Sequence, residues 1–107
     1  MKDPSRKDLK TTWKNHFTSN HRIGIVKAVR GVVFRKGISD IIDRISQPTT
    51  IMVGEKDELT DVRKAEIMHS LIKDSVVKLM PRSGHMSPVE EPDIVNSLIE
   101  DHLNRYA

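Results

Sequence analysis

The stretch from Pro48 to Glu91 constrains what this 107-residue chain can fold into more than any other. Thr49-Thr50-Ile51-Met52-Val53 is a β-branched and apolar run closed by Pro48 and Gly54, the pattern of a short buried strand. From Val62 to Lys73, Ala65, Met68, Leu71 and Ile72 fall on one stripe of a helix. Val76-Val77-Lys78-Leu79-Met80 reads as a second short strand, ended by Pro81. Strand, helix and strand within about 30 residues form a βαβ unit, whose strands are parallel and whose crossover is right-handed. Both strands then finish on the same edge of the sheet. The loop after the first carries Asp57 and the loop after the second carries His85. A carboxylate and an imidazole are thus expected side by side at the carboxyl ends of parallel strands, where open α/β sheets keep their sites.

The flanks read as helices. Met1 to Lys7 is polar with a proline and is expected to fray. Leu9, Trp13 and Phe17, at i, i+4 and i+8, lie along one side of a helix. Asn20 and Gly24 punctuate before Ile25, Val26, Val29, Val32 and Val33 form a second helical stripe. Gly31 sits inside that stripe and weakens it by about 1 kcal/mol relative to alanine. Gly37 is the expected stop. Asp40 to Ile45 predicts a helical turn packing Ile41, Ile42 and Ile45 inward. Thr60-Asp61 offers an amino-terminal cap to the helix that begins at Val62. Ser87-Pro88 reads as a turn, and Pro92 fits the first position of a closing helix with a stripe of Ile94, Val95, Leu98, Ile99 and Leu103.

Composition narrows the classes of function. About a third of the residues are hydrophobic and just under a third charged, an ordinary soluble balance with room for one domain. No apolar run approaches the 18 or more residues of a membrane span, and no apolar h-region follows the basic start, so a cytoplasmic setting is the default expectation. Without cysteine there is no disulfide framework, thiolate zinc site or cysteine nucleophile. Charge is uneven. Residues 1–47 hold 11 Lys/Arg against 4 Asp/Glu, net +7, and the remainder 7 against 11, net −4. The basic residues are scattered among apolar ones, which favours a solvated face over an anionic partner.

Two runs resemble a known family. Pro48-Thr49-Thr50-Ile51-Met52-Val53-Gly54-Glu55-Lys56-Asp57 is similar to the acid-bearing strand and loop of the α/β hydrolases. Ser83-Gly84-His85-Met86, followed by Glu90-Glu91-Pro92, resembles their histidine loop and the helix after it. In that family nucleophile, acid and histidine follow in that chain order. The resemblance implies an α/β class with a partial α/β-hydrolase fold: cap-like helices over 1–36, then the carboxyl-terminal part of the core over 37–107, with a parallel βαβ unit and a closing helix, all in one truncated domain spanning 1–107. Asp57 matches the acid and His85 the general base. The G-x-S-x-G nucleophile elbow is missing, as is an HGGG-like oxyanion segment. The nearest run, Gly37-Ile38-Ser39-Asp40-Ile41, lacks the second glycine and a core strand before it. The chain thus resembles the last part of an esterase-like hydrolase, inactive alone for want of a nucleophile. A full-length parent would take a small ester-like substrate and no metal or organic cofactor.

The remaining candidates carry weaker chemistry. Glu55, Glu58 and Asp61 compete with Asp57, but only Asp57 sits at the matching position. Ser83, Ser87 and Ser39 read as turn serines rather than nucleophiles. His16 and His21 are five apart, off the i, i+4 spacing of two ligands on one helix face. His69 and His102 read as surface residues, and Trp13 with Phe17 as core. A two-stranded parallel sheet leaves both edges open, which calls for self-association or a sheet-completing partner. Two other functions remain open: a non-catalytic interaction module on a remnant fold, and a basic nucleic-acid binder using residues 1–36. Against the latter stand the dispersed charge and the lack of a stacking platform.

Overall fold

The computed structural model describes residues 3–107 and divides the chain into two compact units, one ending at Ile38 and the other running from Ser39 to Ala107. In the second unit the β-branched run becomes strand β1, Thr49–Gly54, and the later run becomes β2, Ser75–Met80. They pair in parallel, with Thr49 opposite Ser75 and Gly54 opposite Met80. Between them lies α3, Val62–Leu71, capped by Asp61, whose side chain accepts the Lys64 amide. The short helix α4, Ser87–Glu90, and the closing helix α5, Pro92–Tyr106, complete the unit.

The pleat of β1 sends Ile51 and Val53 to one face. There they form a core with Ile42, Ala65 and Ile72, and half-buried Ile45, Val62 and Val77 pack against it. Ile72 reaches this core because it leaves the helix. Its backbone is extended, and its amide closes α3 on the Met68 carbonyl. The other face of β1 meets α5, where Thr50 Oγ1 and His102 Nδ1 are 2.8 Å apart. His102 is therefore a half-buried link between sheet and helix rather than a surface residue. Beside that link, Pro48, Met52, Leu98 and Leu103 help to line an open cavity of about 300 Å³.

Three local expectations change. The turn before β1 is a single 3₁₀ turn, Ile42–Arg44, with Ile42 buried, Ile45 half-buried and Ile41 exposed. One short turn cannot aim three isoleucines in one direction. Ser87-Pro88 opens α4 instead of making a plain turn, because a proline in the first helical turn forgoes no intrahelical bond. In α5 only Val95 of the apolar stripe is buried, while Ile94, Ile99 and Leu103 are exposed.

The other unit holds α1, Lys7–Ser19, and α2, Arg22–Phe34. Both stripes form helices, and Gly24 and Gly31 lie within α2. Gly37 is not the stop: α2 ends at Phe34, and Arg35 turns extended. None of the residues of α1 or α2 is buried, so Trp13 and Phe17 are not core. Among the described residues no helix is long and apolar enough to cross a membrane.

Candidate acid–histidine site

The loop after β1 presents Asp57 through a tight turn in which the Asp57 amide donates to the Gly54 carbonyl at 3.0 Å. One carboxylate oxygen, Oδ1, accepts the amides of Leu59 at 2.9 Å and Thr60 at 3.0 Å. The other, Oδ2, accepts the Thr60 hydroxyl at 2.9 Å and lies 3.0 Å from His85 Nδ1. The Asp57 side chain is 5 % exposed, whereas that of His85 is 52 % exposed. Burial disfavours the Asp57 carboxylate and is the largest single influence on it. Together, the bonds from His85, the Thr60 and Leu59 amides and the Thr60 hydroxyl outweigh it, lowering the pKa from 3.8 to about 2. The carboxyl is therefore ionised and acceptor-only at neutral pH. Facing it, Nδ1 is the ring nitrogen placed to donate to the carboxylate. Thr60 Oγ1, having donated to Asp57, also lies 3.2 Å from His85 Nδ1 and can share that proton.

Backbone ties lock the histidine loop beside the acid loop. Lys56 N–H donates to the Ser83 carbonyl at 2.9 Å, and Glu55 N–H to that of Met80 at 2.9 Å. The two loops approach so closely at Gly54 that a Cβ there would lie 2.3 Å from the Gly84 oxygen and 2.4 Å from the Ser83 oxygen. Only a residue without a side chain fits. Ser83 is fully buried and gives its hydroxyl to Glu91 Oε2 at 2.5 Å, so it serves the loop rather than presenting an exposed nucleophile. Ser87 begins α4, and Ser39 lies in an exposed turn of the chain.

Of the residues singled out in the sequence, Asp57 and His85 come together across 28 positions of chain. Glu55 and Glu58 are exposed, and Asp61 is engaged as the α3 cap. Thr60, Glu90 and Glu91 were missed as site residues. In the sequence Thr60-Asp61 has the form of a helix cap, and the Glu-Glu-Pro run stands out only through the family resemblance. Among the described residues no group of three His, Asp or Glu side chains converges where a metal ion could sit.

The parallel β1–β2 pair with its crossover helix is an α/β arrangement, and part of the chain is similar to known proteins. A probable esterase of Oryza sativa subsp. japonica is 29% identical over 85 residues, covering 78% of this chain and 31% of that protein. A monoacylglycerol lipase of Mus musculus is 33% identical over 69 residues, 64% of this chain and 20% of the lipase. A proline iminopeptidase of Thermoplasma volcanium is 35% identical over 77 residues, 72% of this chain and 26% of the peptidase. Among solved structures, a serine hydrolase involved in carbazole degradation superposes with a TM-score of 0.67 at 22% identity, over 77% of this chain and 32% of that one. No family model matches the chain. Over part of its length the chain is related to the α/β hydrolases, and it spans about a third or less of the proteins it matches.

Proposed function

We propose that this chain supplies the acid and histidine of an α/β-fold hydrolase acting on a small ester-like substrate. Its nucleophile and oxyanion donors would come from residues outside the 107 described by this sequence. The observation that carries the reading is the 3.0 Å contact between the buried, ionised Asp57 and His85. In the assembled site Asp57 holds the imidazole with Nδ1 protonated. Nε2 takes the proton of a serine hydroxyl as that oxygen attacks the substrate carbonyl. The imidazolium, stabilised by Asp57, then protonates the leaving group, and water attacks the acyl-enzyme by the same route in reverse. Esterase, lipase and peptidase relatives support acyl transfer as the class, and a cytoplasmic setting fits the cysteine-free sequence.

Because the sequence has no G-x-S-x-G elbow, the isolated chain is expected to hydrolyse a p-nitrophenyl ester no faster than free imidazole does. Burst kinetics blocked by a serine reagent and abolished in His85→Ala would overturn this half of the proposal, since a serine within the chain would then complete the site. A second reading rests on the open edges of the β1–β2 pair. An extended segment of a partner or of a second copy could add a strand there, which would make the chain an interaction module.

A further inference from the structure

The closing segment of the histidine loop contains two adjacent glutamates, Glu90 and Glu91, that are only 7 % and 8 % exposed. Burying two acidic side chains side by side is unfavourable unless each finds strong donors. Both find them on one short stretch of backbone. Glu90 Oε2 accepts the Gly84 amide at 3.0 Å and the Met86 amide at 3.2 Å, the amides of the residues on either side of His85. Glu91 Oε2 accepts the Arg82 amide at 3.1 Å and the Ser83 hydroxyl at 2.5 Å. On a continuous helix, consecutive side chains diverge by about 100° and could not both face the same loop. Here they can, because the helix breaks between them. Glu90 ends α4, Glu91 has φ −135° and ψ 62°, and Pro92 starts α5. A residue before proline is pushed out of the helical region, so the Glu-Glu-Pro order itself produces the break.

We propose that Glu90 and Glu91 are positioning residues for His85, holding residues 82–86 from behind so that the imidazole meets Asp57. The proposal rests on the acid–histidine reading of the site and deepens it. Four hydrogen bonds, donated by Arg82, Ser83, Gly84 and Met86, converge on the two carboxyl groups. The backbone ties from Lys56 and Glu55 fix the other side of the loop. The pair therefore acts on the chemistry only through His85.

Titration of Asp57 and the tautomer of His85, followed by NMR on the whole 107-residue chain, test this without reference to turnover. In His85→Ala the Asp57 pKa should rise from about 2 toward the ordinary 3.8, and that rise sets the scale for a lost imidazole bond. Glu90→Ala and Glu91→Ala should reproduce much of that rise and lose the Nδ1–H signal of His85, with the amide shifts of β1 and β2 unchanged. Glu90→Gln and Glu91→Gln, which keep an acceptor oxygen in place, should restore both signals. If an alanine variant does not fold, the shorter Glu90→Asp and Glu91→Asp answer the same question, since they keep the charge but withdraw it from the loop. Unchanged Asp57 and His85 signals in the folded Ala or Asp variants overturn the positioning role. An unchanged Asp57 in His85→Ala instead overturns the acid–histidine pair, and the positioning role with it.

Discussion

Asp57 works as a hub because its four bonds come from three residues and only one of those, His85, lies far away in the chain. The other three acceptances, from Leu59 and Thr60, are local and orient the carboxylate without help from the histidine loop. Removing the Thr60 hydroxyl in Thr60→Val should therefore raise the Asp57 pKa and destabilise the fold by about 0.5–1.5 kcal/mol, read by carboxyl titration and urea unfolding. The pH dependence follows from the sign of the shift. The folded pKa of about 2 lies below the unfolded value of 3.8, so the stabilisation is fully present above pH 4 and disappears as pH falls through 2. In Asp57→Asn that acid-side loss, about 2 kcal/mol, should vanish from the pH profile of unfolding. That Asp57 and His85 would meet was legible in the sequence because each follows one of two parallel strands. Thr60 was not, since an Asx-type turn and a helix cap look alike when only residue types are visible.

Gly54 is the element-scale constraint, since it ends β1 at the point where the backbone of the histidine loop passes. Gly54→Ala should cost on the order of 1–3 kcal/mol and move Ser83 and Gly84 away from β1, seen as lost thermal stability and a weakened Asp57–His85 contact. Strand runs and the α3 cap were readable, because β-branching, flanking Pro and Gly, and an aspartate before Val62 are local signals. The limits of the stripes were not. Ile72 counted as a helical position by periodicity, yet it is buried in extended backbone after α3 ends. Gly37 resembled a helix stop, but α2 had already ended at Phe34. At Ile72 packing into the core, not local preference, decided where the helix finished.

At the scale of the whole molecule, the Ser39–Ala107 unit has a small core of buried aliphatics and leaves Ile94, Ile99, Leu103, Val76 and Leu79 exposed. A unit of this size hides too little apolar surface to be very stable by itself. Concentration-dependent sedimentation is therefore expected for the chain, and Leu103→Lys should shift it toward monomer. A strictly monomeric profile at high concentration would remove the association reading. The sequence made the open sheet edges foreseeable. It did not reveal how little of α5 would be covered, because a clean apolar stripe says which face wants burial and not whether anything buries it.

The ties that bring acid and base together also couple them in time. Lys56 N–H to the Ser83 carbonyl and Glu55 N–H to the Met80 carbonyl continue the β1–β2 ladder past its last strand residues. Withdrawing the whole histidine loop from β1 would break those two bonds together with the Asp57–His85 contact. Amide hydrogen exchange at Glu55 and Lys56 should thus report how readily the pair comes apart, and fraying of the sheet end is expected to accompany disconnection of the acid from its base.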